Sequence, residues 1–209
     1  MRKLFFDEIR NTQFNKKVEA KQDRFAYGLG GTNGTYIEIG AYKPEHKNNS
    51  FSLEMLHGWK GFSLEFNEKL KAHWDQCDRK NKIYWADAMT FDYLGALKEN
   101  DMPTRINYLQ VDIEPPENTF TALQRVIEQG IICDGITFEH DKYRNDVDYD
   151  VIATEFLKGH GYKVAVKNVL TRKKDNPEVM LNFETWFVKD DIDFETMEWT
   201  DWMQKYVSV

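Results

Sequence analysis

Acidic residues recur in this 209-residue chain directly after short apolar runs: Glu65 after Phe62-Ser63-Leu64, Asp87 after Ile83-Tyr84-Trp85-Ala86, Asp112 after residues 106–111, and Glu139 after residues 135–138. A fifth run, Tyr36-Ile37-Glu38-Ile39, ends instead on Gly40-Ala41. In an open α/β sheet, ligands bind outside the carboxyl ends of the strands, so these five positions are expected around one site. Small residues at Gly40 and Ala41 let the backbone come close to a ligand that a larger side chain would hold off. An acid roughly 20 residues past such a turn accepts hydrogen bonds from ribose hydroxyls, which is the role expected of Glu65. Asp87 with Ala88 suits the edge of a base carrying an exocyclic amine, or else forms a surface turn. A nucleoside-bearing cofactor is therefore the first hypothesis.

Other acids have more than one reading. Glu38 stands inside an apolar strand, where an unpaired carboxylate is costly. It takes the ammonium of an amino-acid-bearing cofactor, ties down loop amides, or faces an edge and pairs with a lysine. Asp112-Ile113-Glu114-Pro115-Pro116-Glu117 brings three carboxylates together after a buried strand. A position in the first turn of a helix explains Glu117, but not Asp112 or Glu114. His140, between Glu139 and Asp141, suits general-base work or a metal, with a satisfied turn residue as the plainer reading. Asp112, Glu139 and His140 together form an oxygen-rich set that a divalent cation would accept, though the ligands are mixed and a metal is not favoured. The Pro-Pro pair resembles the loop of amine-methylating nucleic-acid enzymes, but Glu117 replaces the aromatic that would hold a flipped base. Arg172-Lys173-Lys174 reads as a solvated hairpin loop, or as a cover that would favour an acidic acceptor.

The elements that position these residues follow from spacing. Residues 1–33 form an N-terminal segment, amphipathic and helical to about residue 26, followed by a glycine-rich hinge at Gly28, Gly30, Gly31 and Gly34. Asn49 or Ser50 caps a helix with Phe51, Met55 and Leu56 on its apolar face, and Gly58 ends it. Asn67 caps a helix carrying Leu70, Trp74 and Cys77. Leu94 and Leu97 mark another. Pro116 opens a helix with Phe120, Leu123 and Ile127, stopped by Gly130. A last helix carries Val151, Ile152 and Phe156. Residues 162–170 and 180–189 are then strands with no helix between, an antiparallel hairpin joined by a loop at 171–177. Alternating strands and helices followed by that hairpin predict a doubly wound, mostly parallel α/β sheet of seven strands, with helices on both faces. The core spans 34–189 and the tail 190–209 lies on it as a short helix, making one domain.

Composition narrows the function classes. A net charge of -7 repels a phosphate backbone, so nucleic acid is a poor partner. Cys77 and Cys133 read as reduced thiols. No run approaches the ~20 apolar residues of a membrane span, and the short apolar start is no signal peptide. A cytoplasmic protein without membrane partners is the simplest expectation.

Four blocks, Tyr36-Ile37-Glu38-Ile39-Gly40-Ala41, Gly58-Trp59-Lys60-Gly61-Phe62-Ser63-Leu64-Glu65, Asn107-Tyr108-Leu109-Gln110-Val111-Asp112-Ile113-Glu114 and Ile136-Thr137-Phe138-Glu139-His140-Asp141, together resemble the FkbM-type methyltransferases, of the Rossmann-like class I fold. The resemblance implies S-adenosylmethionine as cofactor and methylation of hydroxyls on sugar, glycan or small-molecule acceptors. It also implies that Glu38, Gly40, Ala41 and the following Tyr42 lie along the cofactor, with Glu65 at its ribose, Asp87 and Ala88 near the adenine, and Asp112 also against the cofactor. Asp112, Glu114, Glu139 and His140 are the candidates for taking the acceptor proton, with Asp112 and His140 foremost. Where such enzymes continue with Asn/Asp-Asp-Gly, this chain has Tyr42-Lys43-Pro44, and Pro115-Pro116 stand where a glycine is usual. Those departures motivate the rival reading, a non-catalytic module that keeps the pocket and binds a partner protein or glycan.

Overall fold

The computed structural model describes residues 2–3, 13–14, 20–173 and 175–193. Its centre is a seven-stranded sheet made of β1 (Thr35–Ile39), β2 (Lys60–Glu65), β3 (Lys82–Trp85), β4 (Arg105–Val111), β5 (Ile132–Glu139), β6 (Tyr162–Lys173) and β7 (Asn176–Lys189). The strand order is β3-β2-β1-β4-β5-β7-β6. Strands β1 to β5 are mutually parallel, while β7 runs antiparallel to both β5 and β6. The order reverses between β2-β1 and β1-β4, the switch point beside which such sheets bind ligands.

Among the described residues six helices cover the sheet: α1 (Gln22–Gly30), α2 (Phe51–His57), α3 (Lys71–Asp75), α4 (Tyr93–Glu99), α5 (Pro116–Glu128) and α6 (Tyr149–Gly159). Strand alternation sorts the core into two layers. Ile37, Ile39, Leu109, Val111 and Phe138 pack under Leu97 of α4, Leu123 of α5 and Leu157 of α6. Tyr36, Tyr108 and Trp186 face the other way, against Phe25 and Leu29 of α1 and Leu53 of α2. Both cysteines are free thiols, Cys133 buried and Cys77 half-buried. No helix among the described residues is long and apolar enough to cross a membrane.

Three expectations need correction. The glycine run is not a hinge: α1 passes through Gly28 and ends at Gly30, where a Cβ would meet the Trp59 ring at 2.5 Å. Close packing of helix on indole, fixed by a 2.8 Å bond from Trp59 Nε1 to the Gly31 carbonyl, accounts for the small residues. The expected loop at 171–177 is largely strand, with Thr171 paired to Leu181 and Arg172 to Met180. Polar residues suit an arm that reaches past the sheet with both faces wet. Finally, Met55, Leu56, Val151 and Ile152 are exposed, and Leu53, Ala153 and Leu157 are the buried apolar residues of their helices. The predicted N-terminal helix before Ala20 and the C-terminal tail after Asp193 lie mainly outside the described residues.

Candidate functional site

The carboxyl ends of the parallel strands open onto one cavity of about 610 Å³, lined among others by Gly40, Tyr42, Glu65, Phe66, Asp87, Ala88, Asp112, Glu114, Glu139 and Asp141. That volume falls within the range of small-molecule sites. Gly40 has φ +85, and a Cβ there would run into the Asp112 carbonyl oxygen, so only glycine fits the bend. The bend is held by Gly40 and Ala41 amides, each donating to the Leu64 carbonyl at 3.0 Å. It therefore lies against the end of β2 and beside Glu65.

Glu65 spans two loops. Its Oε2 accepts from the Tyr42 amide at 2.8 Å and its Oε1 from the Asn67 amide at 2.7 Å. Tyr42 itself takes a left-handed φ of 49, with its carbonyl accepting from Trp74 Nε1 at 2.9 Å. At the next strand end, Asp87 Oδ1 accepts from the Met89 amide at 2.9 Å.

On the other side of Gly40, Glu139 hydrogen-bonds to Asp112. Burial foremost, then the charges of Asp112 and Glu184, push the Glu139 carboxyl well above its ordinary range. Glu139 therefore holds its proton more tightly than an ordinary carboxyl, against the Asp112 side chain. Asp141 is also raised, by burial first. Arg144 Nη1 reaches Glu114 at 2.7 Å and Asp141 at 2.9 Å across the rim.

Three expected site residues, Glu38, His140 and Ala41, do not reach the cavity. Glu38 is fully buried and accepts from Asn48 Nδ2 at 3.0 Å, Ser50 Oγ at 2.7 Å and Ser63 Oγ at 2.7 Å. It ties down the loop that follows β1, the second of its readings. His140 is buried behind the strand, with Nδ1 accepting from the Lys142 amide at 3.2 Å and Nε2 at 3.4 Å from Thr185 Oγ1. Burial lowers its pKa. The cause is alternation: Thr137 and Glu139 point to one face of β5, Phe138 and His140 to the other. With His140 turned away, the cation set of Asp112, Glu139 and His140 falls apart. Among the described residues no group of three His, Cys, Asp or Glu is placed to hold a metal. Ala41, 1% exposed, also lies beneath the surface rather than in the lining.

The cavity also takes in residues not singled out from sequence. Phe66, 76% exposed, extends beyond Glu65. Gln22, Lys47, Asn49, Tyr143, Thr171 and Phe183 come from distant elements. Below the floor, buried Arg79 holds the same loop as Glu38, donating to Glu54 at 2.8 Å, Asn48 at 2.9 Å, Ser50 at 2.7 Å and the Tyr36 hydroxyl at 2.8 Å. A phenylalanine after a strand-end acid was the one sequence signal available for Phe66; the others depend on tertiary contact.

No protein-family model matches the chain, and no curated protein sequence matches it. Solved structures match in fold. M. capricolum TrmK in complex with S-adenosyl-homocysteine aligns with a TM-score of 0.57 at 9% identity, over 85% of this chain and 73% of that one. The plantazolicin methyltransferase BpumL in complex with SAH aligns at 0.52 and 9% identity, over 82% of each chain. A candidate rRNA methylase from Clostridium thermocellum aligns at 0.51 and 14% identity, over 88% of this chain and 99% of that one. At such identities the likeness is one of fold, and the fold is the Rossmann-like sheet of the class I methyltransferases.

Proposed function

We propose that the chain is an S-adenosylmethionine-dependent methyltransferase acting on a hydroxyl of a sugar, glycan or other small acceptor, with 34–189 as the core of one domain. The observation that carries this reading is the continuous cavity along the strand ends, with Gly40 in its floor, Glu65 on one side and the Asp112–Glu139 pair on the other. The residues fit the cofactor. Each Glu65 oxygen accepts one amide and keeps a lone pair for a ribose hydroxyl. The exposed Phe66 ring offers a face to a purine, and Asp87, Ala88 and Met89 line the next strand end.

When bound, S-adenosylmethionine supplies an electrophilic sulfonium methyl. This chain's residues then align and deprotonate the acceptor. Asp112, hydrogen-bonded to Glu139, is the group to receive the hydroxyl proton, with Glu114 nearby on the same loop. Holding the acceptor oxygen in line can supply on the order of 7 kcal/mol. Tyr143, 39% exposed, gives apolar surface for the back of a sugar ring. Six lining carboxyl groups, Glu139 alone among them held well above the ordinary range, outnumber Lys47 and Arg144 and disfavour a phosphate-rich acceptor such as the RNA substrates named for some structural neighbours. The free thiols agree with a cytoplasmic location.

Calorimetry with S-adenosylhomocysteine and with NAD, followed by labelled methyl transfer to a panel of glycans and small alcohols, tests the proposal. Binding of the first ligand alone, with product from a hydroxyl acceptor, is expected. Binding without product across the panel favours the non-catalytic module, and no binding overturns the cofactor reading.

A further inference from the structure

Two acids far apart in sequence stand directly opposite each other in the sheet. Across the antiparallel β5–β7 pair, Glu139 is registered against Glu184, so both side chains leave the same face. Opposed residues have Cβ atoms about 4.5–5.5 Å apart, and like charges in that relation are destabilising. Glu184 is only 1% exposed, so solvent screens it little. Both of its oxygens are met by N–H donors: Gln22 Nε2 of α1 reaches Oε1 at 2.9 Å, and Trp186 Nε1 reaches Oε2 at 2.6 Å. Donors of this kind favour the ionised carboxyl. Gln22 is itself fixed, its Oε1 accepting from the Ala20 amide at 3.0 Å, and it lines the cavity, which Glu184 does not. A negative charge is thus held outside the cavity lining and against Glu139, the hydrogen-bond partner of Asp112.

Glu139 meets acids from three directions: Asp112 at the end of β4, Asp141 on its own exit loop and Glu184 on β7. Arg144 bonds to Asp141 and Glu114. Near Glu184, the Tyr108 hydroxyl of β4 bonds to Thr137 at 2.7 Å, with Asp23 of α1 on the same side. A Glu139 that keeps its proton can donate it to one Asp112 oxygen and leave the other for an acceptor hydroxyl; an ionised Glu139 would set a second charge against Asp112. We propose that Glu184 is a positioning residue for the methyl transfer, acting on Asp112 through Glu139 and not on the acceptor itself. The raised Glu139 carboxyl, for which burial is the first cause and Glu184 a further one, agrees with that placement. This role rests on the reading of Asp112 as proton acceptor given above.

An NMR titration of the side-chain carboxyl carbons in the full chain reads Glu139 directly, its resonance identified by its loss in Glu139→Gln. Glu184→Gln, which removes the opposing charge, should lower the Glu139 midpoint by about 1 pH unit or more. Glu184→Asp, which keeps the charge, should leave the midpoint close to that of wild type. Gln22→Met, which withdraws one donor from Glu184, should lower it by less, and replaces Glu184→Gln if that variant does not fold. An unchanged midpoint in the charge-weakened variant overturns the proposal. Equal shifts in Glu184→Gln and Glu184→Asp overturn it too, because packing and not charge then sets the midpoint. With the acceptor that the glycan and alcohol panel yields, the limb of the single-turnover pH profile set by Glu139 should move to lower pH together with the midpoint; a profile that stays in place separates Glu184 from the reaction and overturns its role. If S-adenosylhomocysteine does not bind, the methyltransferase reading fails on its own, while the titration still reports whether Glu184 governs Glu139.

Discussion

The carbonyl oxygen of Asp112 occupies the space that a Cβ on Gly40 would need. The two strand ends at the switch point are therefore in backbone contact, and the cavity floor there is main chain rather than side chain. Gly40→Ala adds both a steric conflict with backbone and a left-handed strain of about 1–3 kcal/mol at φ +85. Urea denaturation should show a loss at least that large. Calorimetry on the folded remainder should show S-adenosylhomocysteine affinity down tenfold or more.

Much of this site was legible in the sequence because period-two alternation and strand ends are local properties. Glu65, Asp87, Asp112 and Glu139 all follow apolar runs, and all four line one cavity. His140 lies outside the cavity lining although it follows Glu139 in sequence, because alternation sends neighbouring side chains to opposite faces. Glu38 was recognised as costly to bury, but its donors Asn48, Ser50 and Ser63 and the nearby Arg79 come from three segments that only the fold brings together. The β6–β7 hairpin was found, but its length was underestimated. Polar residues in a two-stranded arm exposed on both faces carry no hydrophobic alternation to mark them as strand.

Arg79 is the hub of the loop that bears Tyr42, Lys47 and Asn49. Its side chain is 2% exposed, pairs with Glu54 at 2.8 Å and lies over the Trp74 ring at 4.7 Å. Arg79→Met leaves the Glu54 charge buried and uncompensated, with the Tyr36 hydroxyl and the Lys80 and Asn81 amides as its remaining donors. Removing one partner of a buried ion pair costs about 3–5 kcal/mol. A guanidinium-chloride titration should show a loss of that order; a change within 1 kcal/mol would mean the network is not under tension.

Phe66 makes the opposite kind of test, since it is largely exposed and little of the core depends on it. Stacking of a base on an aromatic ring contributes about 1–3 kcal/mol. Phe66→Ala should therefore raise the Kd for S-adenosylhomocysteine by roughly tenfold or more while Tm without ligand stays unchanged. An unchanged Kd would remove the adenine platform from the proposal.

Asp112 and His140 separate the chemistry from its surroundings. Asp112→Asn removes the proton acceptor and should slow single-turnover transfer by about 10²-fold or more, with S-adenosylhomocysteine binding within a few-fold of wild type. His140→Gln, at a buried position outside the cavity, should leave that rate within a few-fold. A large rate loss at His140 with the fold intact would reverse the two assignments.

Asp23 in α1 predicts how stability follows pH. Complete burial, opposed by the Arg24 charge and the Ser52 hydroxyl at 2.8 Å, lifts its pKa from an ordinary 3.8 to about 6. The folded chain therefore holds a proton there that the unfolded chain has released, so unfolding is favoured as pH rises. The contribution is fully present below pH 4 and lost as pH rises through 6. A shift of that size corresponds to about 3 kcal/mol. Asp23→Asn does not titrate, so its unfolding free energy relative to wild type should climb by up to about that amount between pH 4 and pH 7.5. Other carboxyls raised by burial, Glu139 among them, titrate in both proteins and cancel in the difference. Urea titrations of both proteins across this window measure the effect, and a difference that stays flat with pH would show that Asp23 is ionised in the folded state.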